Sequence, residues 1–124
     1  MTLELTIPAP CEWITANLRL NRFEKARRTK LWREMAAIQA RGLPPIDFPV
    51  HILAHVIKPR GGRWDPLNWA DTAKAAVDGL VDSGLLEDDD HTRVTGPDMR
   101  WHKSGPAALV LTITSATPDP SRPD

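Results

Sequence analysis

A chain of 124 residues, 41% hydrophobic and 26% charged, is sized and composed for one soluble domain with one modest core. No apolar run approaches the roughly 20 residues of a membrane helix, residues 1–10 lack the basic and apolar stretches of a signal peptide, and the single Cys11 excludes an internal disulfide and a cysteine-based zinc site; no membrane partner and a cytoplasmic location are expected. The formal net charge of zero hides a division: residues 19–41 hold eight basic and two acidic side chains, whereas residues 78–90 hold six acidic ones and no basic one.

Residues 3–9 alternate apolar and polar side chains and predict a strand, ended by Pro8 and Pro10. Residues 11–22, with Asn and Arg at short intervals, predict a loop. Residues 22–41 predict a helix, with Phe23, Ala26 or Arg27, Leu31, Met35 and Ile38 as its apolar face and Gly42, Pro44 and Pro45 as its stop. Residues 48–59 are β-branched and apolar, the pattern of a central strand. A turn is expected at 60–62 and another at 65–68, where Pro66 fixes φ and Asn68 or Asp71 can cap a helix. That helix is expected over 69–83, with Ala70, Ala73, Val77, Leu80 and Val81 facing inward and Gly84 ending it. Short strands follow at 93–101, with a turn at Gly96-Pro97, and at 107–115. The tail 116–124 is Pro-rich and polar, a disordered composition. The order β-α-β-α-β-β is that of a single α+β domain with helices packed on a mixed sheet.

The acidic side chains raise the functional question. At about 100° per residue, Asp71, Lys74, Asp78 and Asp82 share one stripe of the second helix, away from its apolar face. A solvated face would look the same. Asp65 stands before this helix and Glu87, Asp88, Asp89 and Asp90 stand after it. A helix of about 15 residues spans about 22 Å, so Asp65 and Asp89 meet only where the chain doubles back. Carboxylates gathered this way suit Mg²⁺, a hard cation that keeps several waters and binds phosphate oxygens, and basic surface beside them suits a polyanion. Other sites have less support. His51, His55, His91 and His102 lack the HExxH spacing, and there is no GxSxG, P-loop or GxGxxG. The five tryptophans read as packing, with Trp64 and Trp69 the better placed for stacking on a base.

The combination "RWDPLN" (63–68), "KAAVD" (74–78) and "GLLEDDDH" (84–91), preceded by the Asn-rich basic loop "TANLRLNR" and a basic helix containing "LWREMA", resembles the RusA family of Holliday-junction resolvases over about residues 1–115. The resemblance implies a RusA-like fold and a homodimeric, Mg²⁺-dependent endonuclease, with Mn²⁺ as a substitute ion. Such an enzyme nicks four-way DNA junctions symmetrically in recombination or repair, in a bacterial cell or encoded by a phage or prophage. Position by position it implies Asp65, Lys74 and Asp89 as catalytic residues and Asp65, Asp88 and Asp89 as metal ligands, with Asp78 added as a metal ligand from its place on the helix. DNA contacts fall to Asn17, Arg19, Arg22, Arg27, Arg28, Lys30, Arg63 and Asn68. The commoner family pattern carries a second carboxylate where this chain has Leu67, a "DPxN" variant in which Asp78, ahead of Asp71, is the replacement expected. Two alternatives stand beside this reading: a junction- or DNA-binding protein of the same fold without full chemistry, and a Mg²⁺-dependent nucleotide pyrophosphatase.

Overall fold

Buried and half-buried side chains alternate along the whole of strand β2, Val50–Ile57, the period-two sign of a strand with one face on a core. Val50, Ile52, Ala54 and Val56 are fully buried. Strand β4, Ala108–Ser115, lies antiparallel beside it, with Ile113 opposite Ile52, Leu111 opposite Ala54 and Leu109 opposite Val56. Strand β1, Thr2–Pro8, extends the sheet antiparallel to β4 and adds Leu5 and Ile7 to the same face. Strand β3, Val94–Trp101, pairs parallel with β2, so the strand order is β1-β4-β2-β3. Helices α1, Arg22–Ala40, and α2, Ala70–Asp82, complete one shared core with these strands. Among the described residues this is a small α+β domain, one four-stranded mixed sheet with two α-helices, in the expected element order. The computed structural model describes residues 1–17, 19–59, 63–102 and 104–116; the turn expected at 60–62 and the tail from residue 117 lie outside them. Among the described residues no helix is long and apolar enough to cross a membrane.

Helix α1 starts where Asn21 caps it, its side-chain oxygen accepting from the Glu24 amide at 2.8 Å. Its buried face is Trp32, Ala36 and Ala40, spaced four residues apart. The expected stripe through Phe23 and Ile38 is corrected here: Phe23 is 74% exposed and Ile38 50%. Small side chains explain the difference. Ala36 lets α2 come close, and the contact on the other side is Gly79. A Cβ at residue 79 would stand 2.2 Å from the Arg33 carbonyl oxygen and 2.9 Å from the Ala36 Cβ. Helix α2 is buried on most of its surface, through Thr72, Ala73, Ala75, Ala76, Val77, Gly79 and Leu80. The stripe Asp71, Lys74, Asp78 and Asp82 runs along the side that reaches solvent.

The segment between β1 and α1 straps the helices together. The Ile14 amide donates to the buried Thr72 hydroxyl at 2.9 Å, and that hydroxyl donates back to the Ile14 carbonyl at 2.8 Å. The Trp32 indole N–H donates to the Glu12 carbonyl at 3.1 Å while its ring stacks on Trp13, 4.8 Å between centroids. Trp32 thereby buries its full apolar surface with its one donor satisfied.

The turn expected at Gly96-Pro97 is also corrected. Strand β3 runs through both residues, and the register against β2 shifts between His51 and Leu53 instead. Gly96 has φ +99°, and a Cβ there would meet the Ile52 carbonyl oxygen at 2.6 Å, so glycine allows the bulge and the close pairing at once.

The helix crossing reverses a common expectation. Gly to Ala inside a helix ordinarily stabilises by about 1 kcal/mol. Here Gly79→Ala is expected to destabilise by about 1–3 kcal/mol or more, because the new methyl enters backbone. Urea unfolding of the two proteins measures this, and a gain in stability would contradict the crossing.

Candidate active site

Residues 83–90 turn back along α2. Gly84, with φ +85°, ends the helix, and the Leu85 and Leu86 amides both donate to the Leu80 carbonyl. Leu85 and Leu86 are buried and anchor the return. The four acidic residues that follow divide their tasks. Glu87 pairs with Arg93 at 3.0 Å. Asp88 accepts the Asp89 amide at 2.7 Å, and Asp90 accepts the Thr92 amide at 2.8 Å and also the Thr92 hydroxyl. These are turn-forming bonds of the kind short carboxylates make. Asp89 alone points back to the helix, where it meets Asp78 and Lys74.

Asp78 and Asp89 share a hydrogen bond. Burial raises the Asp78 carboxyl above the usual range; the bond to Asp89 adds to that, and Lys74 and Arg33 oppose it. Asp89 is lowered, first by its bond to Asp78 and further by the charge of Lys74. Neighbouring carboxylates repel, and a cation bound between them would relieve that repulsion. The Lys74 ammonium lies 3.7 Å from Asp89 Oδ2 and remains 70% exposed, free to face a ligand.

Of the residues expected in the site, Asp78, Asp89 and Lys74 come together, and Asp78 is the partner favoured from its position on the helix. Asp65 is held differently: its Oδ1 accepts the Leu67 amide at 3.0 Å and caps the 3-10 turn Pro66–Trp69. Asp88 is engaged in its own turn. Among the described residues no three His, Cys, Asp or Glu side chains form a ready metal-holding group. A pair is nonetheless the set Mg²⁺ commonly takes, since one or two carboxylates suffice when waters and substrate phosphates fill the other positions. The Asp78–Asp89 pair fits that ion.

The basic residues also separate into two groups. Arg27 bonds Glu24 at 2.7 Å and Glu12 at 3.0 Å. Arg28 bonds Glu24 at 2.8 Å and donates to the Trp13 carbonyl at 2.9 Å. Both fasten the strap to α1, Arg28 largely buried and Arg27 half exposed. Asn17, Arg19, Arg22, Lys30 and Arg63 are exposed, Arg22 with its guanidinium 5.0 Å from the Phe23 centroid. Asn68 is half-buried, its carbonyl accepting the Ala16 amide at 2.9 Å. Trp64 and Trp69 pack edge to face, and the Lys58 ammonium stands 4.8 Å from each ring, the geometry of a cation–π contact.

One ion pair escaped the sequence reading. Arg33 makes a two-point hydrogen bond to Asp82, Nη2 to Oδ1 at 2.8 Å and Nε to Oδ2. Asp82 raises the Arg33 guanidinium further above its ordinary range, and Asp78 and Asp89 add to that. The signal available was Ala36 and Gly79, small residues on two facing helices, which imply a close crossing but do not name the pair.

A comparison with protein-family models finds no match to this chain, and a comparison with curated proteins finds none.

The strap supplies a pH test. Glu24 is held at about 2, against an ordinary 4.5, by hydrogen bonds from Arg27 and Arg28. A depressed carboxylate stabilises fully above its unfolded value and loses that contribution as pH falls toward the folded one. Thermal unfolding of the wild type is therefore expected to weaken from about pH 4.5 down to about 2, and Glu24→Gln to show a shallower decline across that window. Identical slopes would remove Glu24 from the strap.

Proposed function

We propose that this chain is a Mg²⁺-dependent endonuclease that nicks branched DNA, four-way junctions above all, as a homodimer. The observation that carries the reading is the return of Asp89 to Asp78 on α2, with the Lys74 ammonium 3.7 Å from Asp89. The RusA-like motifs imply Lys74 and Asp89 at the chemistry, and Asp65 with them, with Asp78 as the expected replacement ligand. Asp78 and Asp89 would hold the ion. When bound, Mg²⁺ supplies an activated water and stabilises the leaving oxygen. Lys74, exposed beside the pair, neutralises charge that builds on the scissile phosphate in the transition state. Arg19, Arg22, Lys30 and Arg63 hold flanking phosphates, contacts that give affinity without sequence preference.

A second reading has its own support. Leu67 is 67% exposed at the position where the commoner motif carries a carboxylate, and Asp65 is engaged as a cap. A DNA-binding protein of this fold without chemistry would show those features.

Asp89→Asn and Lys74→Met separate the two. Each is expected to lower junction cutting by about a hundredfold or more while junction binding persists. Asp65→Asn is expected to act as strongly; cutting at the wild-type rate would confine the ligand set to Asp78 and Asp89. Gel assays with a labelled junction read all three. Wild-type cutting by Asp89→Asn would overturn the assignment, and binding without any cutting by the wild type would select the second reading.

A further inference from the structure

Along the outer side of α1 runs an open groove of about 500 Å³, lined by Arg22, Lys25, Ala26, Thr29, Lys30 and Arg33. Four of the six are cationic and none is acidic. Arg22 to Arg33 covers about 16 Å of helix axis, the axial rise of about five phosphates along one DNA strand. Lys25 and Lys30 are held only loosely, 3.8 Å from Asp71 and 3.9 Å from Glu34, in exposed pairs that exchange readily with another anion. At one end the groove reaches Arg33, whose backbone touches Gly79, the neighbour of Asp78. Its guanidinium is engaged by Asp82, with both partners more than a third exposed.

We propose that a phosphodiester backbone lies in this groove, and that Arg33 moves its guanidinium from Asp82 to a phosphate oxygen, delivering the strand to the Asp78–Asp89 pair. The fork that binds a carboxylate in two points fits a phosphate equally well. Asp82 is then a placeholder that keeps Arg33 extended toward the carboxylates until DNA arrives. The groove supplies the one feature the carboxylate pair lacks, a track that leads a strand to it. This inference rests on the reading of the pair as a site of phosphodiester hydrolysis.

The test is the salt dependence of binding to a fluorescent four-way junction, without divalent metal, by wild type, Arg33→Gln, Arg33→Lys and Asp82→Asn. Each phosphate contact contributes about 0.9 to the slope of log K against log salt. Arg33→Gln is expected to lose about one such contact and about tenfold in affinity at 50 mM salt. Arg33→Lys should keep the slope. Asp82→Asn breaks the same ion pair but should bind as tightly as wild type or tighter. Equal losses in Arg33→Gln and Asp82→Asn would show that the pair only joins the helices, and would overturn the proposal. So would an unchanged slope in Arg33→Gln while the wild type still cuts junctions in Mg²⁺, an outcome that leaves the nuclease reading standing. An Arg33-dependent slope in a protein that never cuts would keep the groove and remove the nuclease.

Discussion

The carbonyl of Arg33 occupies the space that a side chain at position 79 would need, and the position of the site depends on that backbone contact. Because Gly79 has no Cβ, α1 and α2 approach closely enough for Arg33 to reach Asp82. The same approach sets Asp78 beside a cationic helix rather than in open solvent. The buried Leu85 and Leu86 then turn the chain back so that Asp89 arrives at Asp78. A wider crossing would leave the acidic stripe of α2 as an ordinary solvated face.

Electrostatics explains why so dense an acidic run is tolerated. Like charges repel, yet each carboxylate between Glu87 and Asp90 has a partner: Arg93, two turn amides with the Thr92 hydroxyl, or the Asp78 carboxyl with Lys74. The basic half is balanced in the same way, through Glu12 and Glu24. What remains unbalanced is local. Asp78 and Asp89 stand together where a divalent cation would serve, and the groove on α1 is lined by four cations while the acidic partners of three of them, Asp71, Glu34 and Asp82, lie outside its lining.

Much of the fold was legible because it is periodic. The alternation at residues 3–9 and the β-branched, apolar run at 48–59 predict strands within about two residues of those observed. The strand order was not legible, since the period says that a strand has two faces and not which strand lies beside it. The α1 face was misread because Phe23 and Ile38 weigh more than Ala36 and Ala40 on any hydrophobic scale, whereas a close crossing selects for small volume. In the site, the shared face of Lys74 and Asp78 followed from helix geometry. The roles of Arg27 and Arg28 did not, because a basic residue that binds a phosphate and one that binds Glu24 look identical until the strap is in place. Asp65 illustrates the same limit, since the DPxN turn that makes it a candidate ligand also makes it a cap.

The proposed role of the Asp78–Asp89 pair is hydrolysis of phosphodiester bonds in branched DNA. The most direct measurement is cleavage of a labelled four-way junction beside a linear duplex of the same sequence, with and without Mg²⁺. Paired nicks on opposite strands of the junction, dependent on Mg²⁺ and absent from the duplex, are the predicted result. No nicking under any condition, or equal cutting of junction and duplex, would contradict it.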